Sequence, residues 1–422
     1  MKKMHWLGLL VLSILLYGTI QLLRDDPLHP DTQAWLKQAE KPIMLENNVH
    51  IHLMGLSVQG LNYERGLAHY TQEAVYREWS RIKHSYPTVP ELKPFTETLP
   101  SCDPHLDEAC VARLLLKRPQ IAAKLSEFTL LLDGLYQLSN LDNFTNIDAR
   151  IATTDFEQLD QLYQLAFLDI LYLIEDRQLE VAAQKLASLF QLQRTLMAGT
   201  NQLELQILPV IYAEAFFQPL LLKLAQADYS NWSVFENALA PLKPEELLMN
   251  TLWQHMFLDS ASMLLPLSKH PNTNRLLYKP QMTLNRMAAF YQLKIIVDDT
   301  PHSELVAAIH EADHRIQTHN QKLRQSQEPH WLFLLRNYRN ITGELLFQIM
   351  VPRFLNIQIP VLELDLRLQL LRAVIERPQD SLPNPHNYPN PYTGELPWLE
   401  DGMLCHKLNE TICARIPTTN PH

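Results

Sequence analysis

Glycine is scarce in this 422-residue sequence, with 10 in all. Loops that cradle nucleotides need glycine for positive φ and for close approach of backbone to phosphate. Neither G-x-G-x-x-G nor G-x-x-x-x-G-K-[ST] occurs. The G-x-S-x-G nucleophile elbow and the kinase signature set are missing as well. Basic charge is also short: 36 Lys and Arg stand against 46 Asp and Glu, for a formal net charge of −10. That balance lacks the positive face a nucleic-acid partner requires, so none is expected. What the chain has is apolar surface, 46% hydrophobic residues against 19% charged, with leucine supplying roughly one residue in five, well above ordinary usage.

The apolar surplus begins at the start. Lys2 and Lys3 precede an apolar run from Trp6 to Leu23, which ends at Arg24, Asp25 and Asp26. Eighteen residues at about 1.5 Å each reach roughly 27 Å, close to the hydrocarbon thickness of a bilayer. A cleavable signal peptide would want a shorter core followed by small residues, and Tyr17-Gly18-Thr19 offers no A-x-A site. Residues 6–23 therefore read as an uncleaved membrane anchor, with the lysines on the cytoplasmic side and the bulk exported.

The four cysteines fall into two pairs, Cys102/Cys110 and Cys405/Cys413. An exported domain lives where disulfides persist. Of the three possible connectivities the local one is favoured, because Met403–Lys407 and Thr411–Arg415 read as strands that place Cys405 opposite Cys413 about Asn409. So short a closed loop contributes about 2.5 kcal/mol in the chain-entropy account. Four buried thiols are the alternative. Metal ligation fits less well, since neither pair is C-x-x-C, although His105 and His406 lie near.

The expected fold is all-α: a transmembrane helix, a helical-hairpin or solenoid-like array, and a small disulfide-linked C-terminal β-hairpin. Residues 1–24 form the cytoplasmic start and anchor, 25–100 a neck and N-terminal helical segment, 101–377 the helical body, and 378–422 a Pro-rich tail with the hairpin. Helices are expected over Asp31–Lys41, Leu61–His84, Gln120–Leu138, Phe156–Ile174 behind the capping box begun by Thr154, Leu179–Met197, Gln202–Gln226, Pro244–Leu267, Gln281–Val297, from Thr300-Pro301 to Ser326, Trp331–Met350 and Pro360–Arg377. Leu362, Leu364, Leu366, Leu368 and Leu370 alternate with polar residues at strand period. The continuation through Leu371, Ala373, Val374 and Ile375 favours a helix, with acids first and arginines last. Helix pairs recur between Phe156 and Gln226, but without the tetratricopeptide signature.

One motif carries possible chemistry. His310-Glu311-Ala312-Asp313-His314 matches H-E-x-x-H on an expected helix, where two histidines a turn apart would hold zinc and Glu311 would activate water. Glu344 is the available third ligand; the longer metzincin pattern fails, because His319 is one position early. Against zinc, the apolar stripe of this helix runs through Leu305, Ile309, Ala312, Ile316 and Leu323, leaving His310 and His314 on its flank. Glu311 could also pair with Arg315. His50-x-His52 could ligate metal at a strand end, and Asp298-Asp299 could bind a cation, but each also reads as ordinary surface or helix-end chemistry. Sequons at Asn143, Asn231, Asn340 and Asn409 would matter only in a eukaryotic secretory route.

Glu46-Asn47-Asn48 leading to Leu53-Met54-Gly55-Leu56, Arg65-Gly66, the Cys102…Cys110 pair before a helix, and Asn390-Pro391-Tyr392-Thr393-Gly394 followed by Trp398 are found together here. In these the chain resembles a group of proteobacterial inner-membrane-anchored periplasmic helical proteins. The resemblance implies a single-pass inner-membrane protein with a periplasmic body, and it brings no activity, cofactor or catalytic residue. The expected function is contact with other envelope proteins as scaffold, adaptor or assembly factor. The alternatives are a membrane-tethered zinc metallohydrolase using His310, Glu311 and His314, and a lipid or small-ligand binder.

Overall fold

In a computed structural model of the chain, the described residues are 24–38, 47–54, 108–141, 144, 156–200, 202–271, 273–274, 276–325, 337–350, 358–376 and 383–416. The anchor at 6–23, the helix expected over 61–84, Cys102, Asn143 and the capping residues Thr154 and Asp155 lie outside them. The helices in chain order are α1 (Pro30–Gln38), α2 (Val49–Met54), α3 (Glu108–Leu116), α4 (Arg118–Leu125), α5 (Thr129–Gln137), α6 (Phe156–Glu175), α7 (Leu179–Gly199) and α8 (Leu203–Tyr212). They continue with α9 (Gln218–Gln226), α10 (Pro244–Leu247), α11 (Asn250–Leu267), α12 (Pro280–Gln292), α13 (His302–Gln325), α14 (Ile341–Met350) and α15 (Gln358–Ile375). A C-terminal antiparallel sheet runs β1 (Trp398–Glu400), β2 (Met403–Lys407), β3 (Thr411–Arg415), in that order.

The described residues divide into two compact units. The first draws on residues 24–38, 253–296 and 309–350. Its α12 buries Thr283, Leu284, Met287, Ala288, Phe290 and Tyr291. Asp25 caps this helix: its carboxylate accepts from the backbone N–H of Gln281 at 2.9 Å and of Met282 at 3.1 Å, two donors that a helix start leaves without partners. Gly343 of α14 lets α12 come close, since a Cβ there would fall 2.0 Å from Thr283 Oγ1, which is itself held by the Asn340 side chain.

The second unit draws on residues 47–252, 297–308 and 358–416. Helices α6 and α7 form its central hairpin through a tight turn in which Arg177 takes a left-handed φ of 58°. Leu186, Leu189, Phe190, Leu192 and Leu196 of α7 are buried; each such side chain contributes about 1.5–3 kcal/mol on leaving water. The same helix buries a charge. Arg194 donates Nε to Glu246 Oε1 at 2.8 Å and Nη2 to Glu246 Oε2 at 2.7 Å. Its remaining donors reach the carbonyls of Asn237, Ala240 and Pro241 at 2.7–2.9 Å. Glu246 also takes the Lys243 backbone N–H at 2.6 Å, and its own carbonyl accepts from Gln206 Nε2 at 3.0 Å. Next along the chain, Leu242 N–H donates to Asp365 of α15 at 2.6 Å, and Tyr392 OH donates to the other Asp365 oxygen at 2.8 Å. One segment, 237–246, is thus tied to α7, α8 and α15, and through Asp365 to the tail.

The leucine-alternating segment is helical, as expected. Thirteen of the eighteen residues of α15 are buried, Asp365 and Gln358 among them; a helix enclosed on nearly every side can carry leucine at any spacing. Three expected long helices are broken. Ser126 Oγ and Thr129 Oγ1 bond back to the carbonyls of Ala123 and Ser126, and a 3₁₀ turn at Ser126–Phe128 separates α4 from α5. Met249 takes a φ of 53° between α10 and α11, and the neighbouring Leu248 carbonyl accepts from Gln358 Nε2 at 2.7 Å. A π-turn at Ala213–Phe217 divides α8 from α9.

The whole stretch Leu203–Gln226 is long and apolar enough to cross a membrane, with mean hydropathy 1.5, and half of that window is buried. Its α8 packs on α7 and α15 and its α9 on α6, as a core helix would.

In the tail the expected hairpin has the expected register, Cys405 opposite Cys413 and Lys407 opposite Thr411, and the two cysteines are bonded. Cys110 is also disulfide-bonded, with a partner outside the described residues. The third strand, β1, was not anticipated. Its signal was Asp401-Gly402, which takes φ of 49° and 73° between β1 and β2, the two left-handed residues of a type I′ hairpin turn. Gly394, with φ 73°, ends the Asn-Pro-Tyr-Thr-Gly segment in the left-handed region that glycine enters most readily.

Glu246→Gln leaves the Arg194 charge buried without its counter-ion and is expected to lower stability by about 3–5 kcal/mol. Arg194→Met with Glu246→Leu is expected to cost much less than the sum of the single changes, as urea unfolding in a double-mutant cycle would show.

Candidate functional site

The second unit contains a groove of about 610 Å³. Its α3 wall is apolar, made by Val111, Ala112 and Leu115; α9 adds Pro219, Leu222 and Lys223, α15 adds Arg367, and the hairpin adds Met403, Thr411, Cys413 and Arg415. Strand period explains the hairpin's contribution. Thr411, Cys413 and Arg415 share one face of β3, while Ile412 and Ala414 are buried on the other. Disulfides hold two sides of the groove, one at Cys110 beside Val111 and one at Cys405–Cys413.

The π-turn sets the polar corner. Pro219 has no N–H, and in an unbroken α-helix its ring would press on the Ala215 carbonyl. The wider turn, in which Gln218 N–H reaches Ala213 O, relieves that crowding and displays Glu214 beside Gln218. Arg367 donates Nη2 to Glu214 Oε2 and Nη1 to Gln218 Oε1, both at 3.1 Å. The Arg367 side chain is 13% exposed, and burial pulls its pKa below the ordinary arginine value while Glu214 and Glu363 raise it. Lys223 is half-buried and makes no ion pair among the described residues. Among the described residues the groove thus has three cationic side chains to one carboxylate, in a chain whose net charge is negative. Sequence reading did not single out Arg367, Glu214 or Lys223. The available signal was a charge inside a leucine-saturated helix, which has to find a partner when buried.

The H-E-x-x-H residues are placed differently. His310, Glu311 and His314 are all exposed on α13, whereas Asp313 between them is buried. Asp313 forms a buried ion pair with Lys294, whose ammonium lies 5.6 Å from the centre of the Trp253 ring. Glu344 pairs with Arg286 at 3.6 Å, and that guanidinium lies over Phe347 at 5.0 Å. Among the described residues no group of three or more His, Cys, Asp or Glu is arranged to hold a metal, so His310, His314 and Glu344 are not brought together. Of the motif's two inward residues, Ala312 and Asp313, the charged one is paired within the protein.

His50 and His52 sit on the short helix α2, not on a strand end. His50 is buried, edge-on to Phe144 at 5.6 Å, and burial lowers its pKa to about 4. Asp298 accepts from Asn250 Nδ2 at 2.8 Å. Of the sequons, Asn340 is buried in bonds to Lys279 and Thr283, while Asn231 and Asn409 are exposed.

His310→Ala and His314→Ala are expected to change stability by less than about 0.5 kcal/mol. Asp313→Ala, which strands the Lys294 charge, is expected to cost about 3–5 kcal/mol by urea unfolding.

His50 gives a pH dependence of known sign. Its folded pKa lies below the unfolded value of 6.5, so the unfolded chain binds the proton more readily. Stability is therefore expected to fall as pH drops from about 6.5 to about 4, by about 3 kcal/mol from this group. His50→Gln should remove that part of the slope in unfolding curves recorded across the window.

No family model, no curated protein and no solved structure matches the chain.

Proposed function

We propose that this chain is a membrane-anchored protein of the bacterial envelope, tethered through residues 6–23 with its body in the periplasm, that works through contacts with other envelope proteins as scaffold, adaptor or assembly factor. The observation that supports this reading is the groove, built from short helices and a disulfide-bonded hairpin into a concave surface open to a binding partner. Near it in sequence, Leu116 and Leu130 are 82% and 83% exposed, a placement that suits a contact surface better than water. The disulfide chemistry supports an oxidising compartment. A second reading is favoured by the groove's volume and lining: about 610 Å³ with apolar walls and a few polar groups is the size and make-up of a small-ligand site.

Residue-specific crosslinking from Leu116, Leu130 and Ala112 of the full chain in its native membrane tests the first reading. A discrete envelope partner captured from these positions, and lost on competition with uncrosslinked protein, is the expected outcome. Absence of any partner at all three positions would overturn it. A C-terminal reporter active only in an oxidising compartment is expected to be active.

A further inference from the structure

We propose that the groove binds an anionic amphiphile, an acidic head group carried on a hydrocarbon chain. The inference rests on the small-ligand reading and names its ligand class. Three observations carry it together.

Among the described residues the groove's charge is reversed relative to the chain. Lys223, Arg367 and Arg415 line it with Glu214 as the one carboxylate among its lining residues, whereas the sequence as a whole carries −10. Glu214 is already bonded to Arg367. The Arg367 guanidinium has five N–H donors, of which one goes to Glu214 and one to Gln218, and Lys223 makes no ion pair among the described residues. An incoming carboxylate or phosphate therefore meets donors that can hold it by charge-assisted hydrogen bonds.

The lining is also sorted by element. Among the described residues the α3 wall supplies Val111, Ala112 and Leu115 without a charge, and Leu222, Pro219 and Met403 extend the apolar surface. A purely ionic ligand would leave these side chains in water, and a purely apolar one would desolvate Arg367 and Lys223 without replacing their hydrogen bonds, which is costly. A molecule with both characters satisfies both parts.

The groove is finally a held shape. Arg367 is fixed by two partners on the π-turn and α9, and the hairpin face is fixed by Cys405–Cys413. Such preorganisation lowers the ordering cost of binding.

The test uses the full-length protein in a neutral detergent and titrates decanoate, decanol and a short-chain phosphatidic acid, followed by calorimetry. Decanoate or phosphatidic acid is expected to bind, with decanol at least about tenfold weaker; the better of the two acids identifies a free fatty acid or a lipid head group as the source. Lys223→Gln is expected to weaken the acid about tenfold and to leave decanol unchanged. Ala112→Trp, which fills the groove from an exposed position, should abolish binding of all three. Equal binding of decanol and decanoate would overturn acid recognition while leaving the small-ligand reading intact. No binding by any probe would overturn both. Acid binding unchanged in both variants would place it outside the groove and overturn the proposal.

Discussion

The buried guanidinium of Arg194 constrains the second unit more than any single apolar contact. A charge taken out of water must have its donors met, or the fold loses several kcal/mol. Here Glu246 supplies two acceptors and the carbonyls of Asn237, Ala240 and Pro241 the rest. That requirement fixes the path of an irregular segment that also buries Ala238, Leu239 and Leu242. Once fixed, the segment offers Leu242 N–H to Asp365, and Asp365 in turn receives Tyr392 from the tail. Burial raises the Asp365 pKa, opposed by these two hydrogen bonds. The tail is thereby held to α15, the helix that also carries Arg367 into the groove.

The groove follows from that placement. With the tail in position, the Ile412 and Ala414 face of β3 is buried and its Thr411, Cys413 and Arg415 face is left to line the cleft. Two features then give the cleft its polar corner: a proline that forces a wider turn before α9, and an arginine that finds Glu214 and Gln218 there. Both concern backbone geometry first and side-chain chemistry second.

The H-E-x-x-H motif shows how one spacing serves two ends. Four-residue spacing puts His310 and His314 on one side of a helix, as a zinc site needs. The same helix turns Ile309, Ala312, Asp313 and Ile316 inward. Asp313 is committed to Lys294 and Glu344 to Arg286, so their charges are already balanced within the protein.

The sequence by itself determined the helical class, the positions of most helices, the hairpin and its Cys405–Cys413 register, because these rest on periodicity, capping and turn chemistry within a few residues of one another. The exposed state of His310 and His314 was legible for the same reason, from the apolar stripe beside them. The breaks at Ser126–Phe128 and Met249 were less so, since they depend on which carbonyl a local or distant side chain takes, whereas the π-turn at Ala213–Phe217 follows from Pro219. Gln358 and Leu248 are far apart in sequence, and nothing local announces their bond. Only the tertiary structure decided that Arg367, Glu214, Lys223 and Arg415 share one groove, because that meeting depends on how helices pack and where a buried charge finds its partner. Such partners are chosen by the fold as a whole and leave no periodic trace in the chain.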